Sequence, residues 1–252
     1  LDEHKISWSI HQFEGECCEE NISLIRDKAK KNEVNLLIGV GGGKSLDTAK
    51  VVANRMKIPV VTIPTQAATC AATSGISILY TEGGEKIGVE YLDTCPELVL
   101  VDSEVISKAP VKYIRAGIFD ALAKWYEGRT IAQAVDNPNV FVSTALNLAE
   151  LLNEKMEEHA LSAVKSVQKN KSSYSLLQVI DLNLFTTGVI QCLGQKTCRG
   201  AIAHALHNGL TLMEESHEIL HGTKVGYCII VHMYIENRNI NEINESVEFF
   251  KK

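Results

Sequence analysis

The chain has 252 residues, enough for one large or two ordinary domains. Its net charge of −6, with no Lys/Arg cluster, excludes a nucleic-acid binder, and no apolar run approaches a membrane span, so no membrane partner is expected. Seven cysteines (17, 18, 70, 95, 192, 198 and 228) form no C-x-x-C pair and are odd in number, which argues against a disulfide framework and for reduced thiols in a cytoplasmic protein.

The sequence opens at Leu1 without an initiator Met or a signal peptide, so a longer gene product is expected. Lys5–Ile10 reads as a strand and Glu19–Lys31 as an amphipathic helix. Val34–Val40 (strand), Lys44–Met56 (helix) and Pro59–Ile63 (strand) follow. Such alternation, with Val/Ile/Leu-rich strands, predicts a parallel sheet covered on both faces. Ile76–Tyr80 and Lys86–Leu92, joined by Thr81-Glu-Gly-Gly-Glu85, read as a β-hairpin inserted before a strand at Leu98–Val101. From Pro110 the period turns helical, at 110–134, 138–167, 174–192, 199–213 and 221–237, with no strand between. The fold class is therefore α/β: a parallel-sheet nucleotide-binding lobe over 1–108, then an all-helical, metal-binding lobe over 109–252, with the ligand cleft between them.

Val34–Val40 runs into Gly41-Gly42-Gly43-Lys44-Ser45. A Walker A loop fails here because Ile38 stands where its first glycine is required, and a G-x-G-x-x-G starting at Gly39 fails at Lys44. The physical content survives both failures. Consecutive glycines let backbone N–H groups approach a pyrophosphate, and the following helix presents its positive end. A plain tight turn would need only one or two glycines. Downstream, the uncharged small-residue stretch Pro64–Gly75 lies at the carboxyl end of a strand, where open α/β sheets bind ligands.

Asp120, His204 and His221 offer one carboxylate and two imidazoles from separate segments. Three O/N donors with a fourth position open is how a catalytic zinc is held. Asp120 sits among Ile118, Phe119 and Leu122, where a carboxylate is costly to bury unless paired or bound to a cation. Each histidine alone reads more readily as a hydrogen-bonded core residue, as His11, His159 and His232 do, and spacing does not by itself establish a site. His207, at i+3 from His204, is a candidate for proton relay or for support of the site.

Several motifs, in order along nearly the whole chain, resemble the iron-containing alcohol dehydrogenases, specifically their glycerol-dehydrogenase-like branch. They are Gly41-Gly-Gly-Lys-Ser-Leu-Asp-Thr-Ala-Lys50, Pro64-Thr65, Ser77-Ile-Leu-Tyr80, Asp120-Ala-Leu-Ala123, His204-Ala-Leu-His-Asn-Gly-Leu-Thr211 and Leu220-His-Gly-Thr-Lys-Val225. Family members are longer, so the resemblance implies a chain lacking the first strand and helix and the last helices. It implies a dehydroquinate synthase-like architecture and metal ligands at Asp120, His204 and His221. Iron-type members carry a fourth ligand, a His, where this chain has Lys124, which resembles the three-ligand zinc branch. The pyrophosphate is implied along Gly42, Gly43, Lys44, Ser45 and Asp47. The nicotinamide side is implied along Thr65, Gln66, Ala68, Ser74, Ile76 and Tyr80.

Two positions depart from the glycerol dehydrogenase pattern: Cys70 replaces an Asp that contacts the polyol, and Phe119 replaces a Gly. A thiol cannot accept two hydroxyl hydrogen bonds as a carboxylate can. The segments Thr69–Ala72, Lys124–Glu127 and His221–Lys224 resemble a sister branch of 2-hydroxycarboxylate dehydrogenases. The expected function is a zinc-dependent, NAD- or NADP-linked dehydrogenase acting on a small alcohol, polyol or hydroxy acid, with Cys70 facing the substrate. The alternatives are a 2-oxo acid reductase and a dehydroquinate synthase-like lyase. A homo-oligomer is expected.

Overall fold

The computed structural model describes residue 3, residues 6–194, 197–198 and 200–252. Helix α1 (Glu19–Lys31) leads into β1 (Leu37–Gly41), α2 (Gly43–Met56) and β2 (Val60–Pro64). A hairpin of β3 (Ile76–Tyr80) and β4 (Lys86–Tyr91) precedes β5 (Leu98–Val99). The sheet runs β1-β2-β5, all parallel, with Leu37 opposite Val60 and Gly41 opposite Pro64.

Period-2 alternation decides how this sheet is covered. Gly39 faces α2 so closely that a Cβ there would lie 2.8 Å from the Ala49 Cβ. Its neighbours Ile38 and Val40 point the other way and are 46% and 56% exposed. The expectation of helices on both faces is corrected: among the described residues only one face is covered. The strand expected at Lys5–Ile10 is also corrected. Lys5 lies outside the described residues, and residues 6–10 join no ladder, leaving Ile6 and Ile10 exposed. The expected strand at Leu98–Val101 stops at Val99, because the next turn belongs to Asp102, whose carboxylate caps α3 (Ser103–Ser107) through the Glu104 and Val105 N–H groups.

Among the described residues every regular element after α3 is helical: α4 (Val111–Ala134), α5 (Val140–Gln168), α6 (Tyr174–Asp181), α7 (Thr187–Gly194), α8 (Ile202–Leu210), α9 (His221–Ile235) and α10 (Ile240–Lys251). Side-chain caps start several of them, Asn139 on α5, Ser173 on α6 and Asn239 on α10. A π-helical turn, Leu182–Thr186, interrupts the helix expected at 174–192 and divides it into α6 and α7. The run Tyr174–Gly194 is nevertheless long and apolar enough to cross a membrane by length and composition, which amends the sequence reading; half of its apolar window is buried inside the molecule, and it packs along α5. The main core joins helical residues such as Leu122, Leu152, Met156, Ile180 and Ile229 to Leu46, Ala67, Ala71 and Ala72 of the α/β half. One apolar cluster thus spans both halves and fixes the small-residue loop against the helices.

Candidate metal and dinucleotide site

Three helices deliver the three expected metal donors to one point. Asp120 lies midway along α4, on its buried face. Helix α9 starts against α4 one turn earlier, and the contact is so close that a Cβ on Gly222 would fall 1.9 Å from the Ala116 carbonyl oxygen. Only glycine fits there, and its position brings the preceding His221 to Asp120, with Nε2 3.1 Å from Oδ1. Helix α8 brings His204 from another side, with Nε2 3.6 Å from the same oxygen. The donor atoms of all three residues lie within 4.8 Å of one another.

These separations suit a cation. Tetrahedral zinc with bonds of about 2.0–2.2 Å needs donors roughly 3.4 Å apart, and 3.1 and 3.6 Å bracket that spacing. Burial opposes the charged form of Asp120, but the His221 charge, hydrogen bonds from both imidazoles and the Lys124 charge overrule it and hold the carboxyl well below its usual range. Burial and Lys124 also oppose the charged form of His204, yet Asp120 and Glu127 raise its pKa. The three donors are therefore poised around a positive charge. Asp120 is nearly enclosed, whereas the His221 side chain is 35% exposed, so the site opens on that side.

Both imidazoles are held from behind. His221 Nδ1 is 2.9 Å from His207 Nε2, and the two rings meet edge to face. His207 is buried, and burial together with the neighbouring His221 pushes its pKa down to about 3. His204 Nδ1 is 2.6 Å from Glu127 Oε2, while Glu127 Oε1 accepts from the Ala201 and His204 N–H groups at 2.7 and 2.9 Å. Sequence reasoning missed Glu127; the available signal was its place two helical turns after Asp120, in a stretch where Lys124 is the one other charged residue.

Cys70 is buried in a short helical turn, Cys70–Ala72, and its thiol donates to Gln191 Oε1 at 3.3 Å. Burial and the charge of Asp120 push that thiol up to about 12, which places it in the electrostatic field of the trio. The loop carrying Cys70 is clamped to the helical half. Asn183, turned inward by the π-helical turn, donates to the Ala67 carbonyl at 2.9 Å, and the Thr73 hydroxyl donates to the Leu184 carbonyl.

The glycine turn is built from neighbours in sequence. Gly41 has φ +145°, a conformation L side chains rarely adopt, and bends the chain from β1 into α2. Gly42 caps α2 with no side-chain hydrogen bond and no acidic residue follows in the first turn, so no side chain caps that N-terminus. A Cβ on Gly42 would meet Gln66 Nε2 at 2.3 Å, and one on Gly43 would meet Thr69 Oγ1 at 3.2 Å, so both glycines face the small-residue loop. Thr65 N–H donates to the Gly41 carbonyl at 3.0 Å, and Ala68 is half-buried just beyond. Lys44 pairs with Glu16, and the Ser45 hydroxyl donates to the Val40 carbonyl at 3.1 Å.

Other implied cofactor residues are engaged in holding the hairpin. Asp47 pairs with Lys50 at 2.9 Å and accepts from the Ile78 N–H at 3.3 Å. Lys50, buried, also donates to the Ser74 carbonyl and hydroxyl at 3.1 Å and to the Ile76 carbonyl at 2.7 Å. The phenol of Tyr80, near that network, has its pKa raised by burial first and by Asp47 second.

The profile described as "Iron-containing alcohol dehydrogenase" matches residues 1–103. The chain is 37% identical over 241 residues to the glycerol dehydrogenase of Thermotoga maritima, covering 94% of this chain and 65% of that one. It is 37% identical to hydroxycarboxylate dehydrogenase A of Escherichia coli over 219 residues, covering 87% of this chain and 60% of that one. A crystal structure of a probable glycerol dehydrogenase from Sinorhizobium meliloti superimposes with a TM-score of 0.87 at 33% identity, over 99% of this chain and 70% of that one. The chain therefore spans roughly two thirds of the length of these relatives. Shared motifs, fold and identity place it: the chain belongs to the iron-containing alcohol dehydrogenase family, in its glycerol-dehydrogenase-like branch.

Proposed function

We propose that the protein is a metal-dependent, NAD- or NADP-linked dehydrogenase that oxidises a small alcohol or polyol to the carbonyl. The observation that carries this reading is the convergence of Asp120, His204 and His221 within 4.8 Å. These three residues would hold the metal. Zinc is the ion proposed, because Lys124 stands where a fourth His would complete the iron type. Polarising an alcohol oxygen is the chemistry a cation bound there supplies, and the nicotinamide supplies the hydride acceptor. His207 supports His221 from behind; burial keeps it neutral, which favours a positioning role over proton relay.

The dinucleotide is proposed to lie along the glycine turn, with its pyrophosphate on the N–H groups of Gly42, Gly43, Lys44 and Ser45. Lys44 would exchange Glu16 for phosphate, a trade of one anion for another. Asp47 contributes through the hairpin it holds rather than by contact. Thr65, Gln66, Ala68, Ser74, Ile76 and Tyr80 would line the nicotinamide side. A lobe boundary at residue 108, a homo-oligomeric state and a cytoplasmic location, with neither nucleic acid nor membrane as partner, complete the proposal.

A second reading, a 2-hydroxycarboxylate dehydrogenase working as a 2-oxo acid reductase, is favoured by Cys70. Its thiol stays protonated and already donates to Gln191, so no carboxylate is present at that position to orient a second hydroxyl of a polyol. A substrate hydroxyl left unpaired costs about 1–3 kcal/mol, or one to two powers of ten in kcat/KM. Comparing kcat/KM for glycerol and for a 2-oxo acid in wild type and Cys70→Asp separates the two. Poor glycerol turnover that improves on substitution, with 2-oxo acid reduction impaired, supports the second reading; efficient glycerol turnover indifferent to the substitution restores the first.

A further inference from the structure

We infer that Glu127 is the positioning residue of the metal site, fixing which nitrogen of His204 is bare. This inference rests on the metal reading above. Helix α4 supplies both Asp120 and, two turns later, Glu127, so one rigid element carries the ligand and the group that orients a second ligand. The Glu127 carboxylate is fully engaged. Oε1 accepts the Ala201 and His204 N–H groups, capping α8, whose N-cap residue Ala201 brings no side-chain cap. Oε2 lies 2.6 Å from His204 Nδ1.

A carboxylate can only accept hydrogen bonds, so Nδ1 must carry the ring proton. Nε2, the nitrogen 3.6 Å from Asp120, is then left with its lone pair toward the cation. The charge on Glu127 also makes His204 a better donor to a metal. Glu127 is 2% exposed, so no water competes for the contact.

Glu127→Gln isolates this role. Its amide oxygen can keep the α8 cap, but its NH2 then faces Nδ1 as a donor. That contact requires Nδ1 to accept and moves the proton to Nε2, where it blocks ligation. The zinc dissociation constant, read by competition with a chromophoric chelator, is expected to rise about 10- to 100-fold. Nitrogen NMR of the His204 ring in the metal-free protein, at a pH where the ring is neutral, is expected to show the proton on Nδ1 in wild type and on Nε2 in the variant. Loss of the cap alone would lower the melting temperature without moving that proton. Glu127→Ala removes the acceptor however a glutamine amide settles, and is expected to weaken zinc as well.

Wild-type zinc affinity in Glu127→Ala, or a wild-type ring already protonated on Nε2, overturns the inference. If wild type itself binds no zinc, the metal reading fails, and the position of the ring proton still decides whether Glu127 orients His204.

Discussion

The glycine turn and the metal trio lie on the same molecule but are built by opposite strategies. Gly41 to Ser45 are consecutive, and their geometry comes from one positive-φ glycine and an α2 N-terminus that no side chain caps. Asp120, His204 and His221 come from α4, α8 and α9, and their approach depends on the fit of Gly222 against Ala116 and on Glu127 reaching across to α8. The local site offers backbone and can be weakened by adding atoms. The assembled site offers side chains and can be broken by removing one charge. Metal affinity and cofactor affinity should therefore respond to different substitutions.

The largest expected effect is Asp120→Asn. It leaves two imidazoles without their anion, and removing one partner of a buried charged set costs about 3–5 kcal/mol. Zinc affinity should fall by roughly two to four powers of ten. Calorimetric titration should show this loss while NADH binding stays near wild type; a parallel loss of both would erase the distinction between the sites.

Next in size is the pH response of the metal-free protein. Glu127, held down at about 2 although burial opposes its charge, chiefly by its hydrogen bond to His204, contributes stability that is present above its ordinary value of 4.5 and lost as pH falls toward 2. A shift of that size corresponds to about 3 kcal/mol. His204 has the opposite sign: its raised pKa contributes stability that is complete below 6.5 and lost as pH rises through the folded value. His207, pushed down to about 3, costs stability as pH falls below its ordinary 6.5, so melting curves with a chelator should peak close to that value. Added zinc should remove the alkaline decline, since the cation takes the place of the proton at Nε2.

Gly222→Ala should follow. A methyl group 1.9 Å from a backbone oxygen cannot be accommodated without moving α9. The cost is about 1–3 kcal/mol. In a chain of this size that is a melting-point loss of roughly 2–4 °C per kcal/mol. Because the displaced element carries His221, zinc affinity should fall with it. Stability lost at unchanged zinc affinity would show that the trio does not depend on this contact.

The smallest effect is expected for Gly43→Val. The first carbon of the new side chain would lie 3.2 Å from Thr69 Oγ1, and its methyl groups would intrude between the α2 N-terminus and the small-residue loop. Weakening of NADH by about tenfold, roughly 1.4 kcal/mol, is expected by fluorescence titration, with zinc affinity retained. An unchanged dissociation constant would remove the pyrophosphate from this turn.

What the sequence disclosed follows the same division. Local signals were legible: the Glu19–Lys31 helix, the glycine turn and the hairpin stand where their periodicity and turn residues put them. Ile6–Ile10 was misleading because alternation describes a strand whether or not a partner exists to form the ladder. The coverage of the sheet was misread for a related reason, since apolar Ile38 and Val40 state a preference for burial that no described element satisfies. The helix Ile240–Lys251 went unread, although Asn239 caps it and Ile243 and Val247 share one face. In the site, the trio could be named from residue types and family likeness. Glu127 could not, because its role depends on the place where α8 begins, a fact of packing. The pairing of Asp47 with Lys50 and the Ile78 N–H was equally illegible, a contact that only the folded hairpin reveals.

The most direct test of the account is anomalous diffraction at the zinc edge from crystals of the protein grown with zinc. The account predicts one strong peak about 2.0–2.2 Å from Asp120 Oδ1, His204 Nε2 and His221 Nε2, with His221 Nδ1 still on His207 and His204 Nδ1 still on Glu127. A peak bound elsewhere, or none at the trio at saturating zinc, would contradict it.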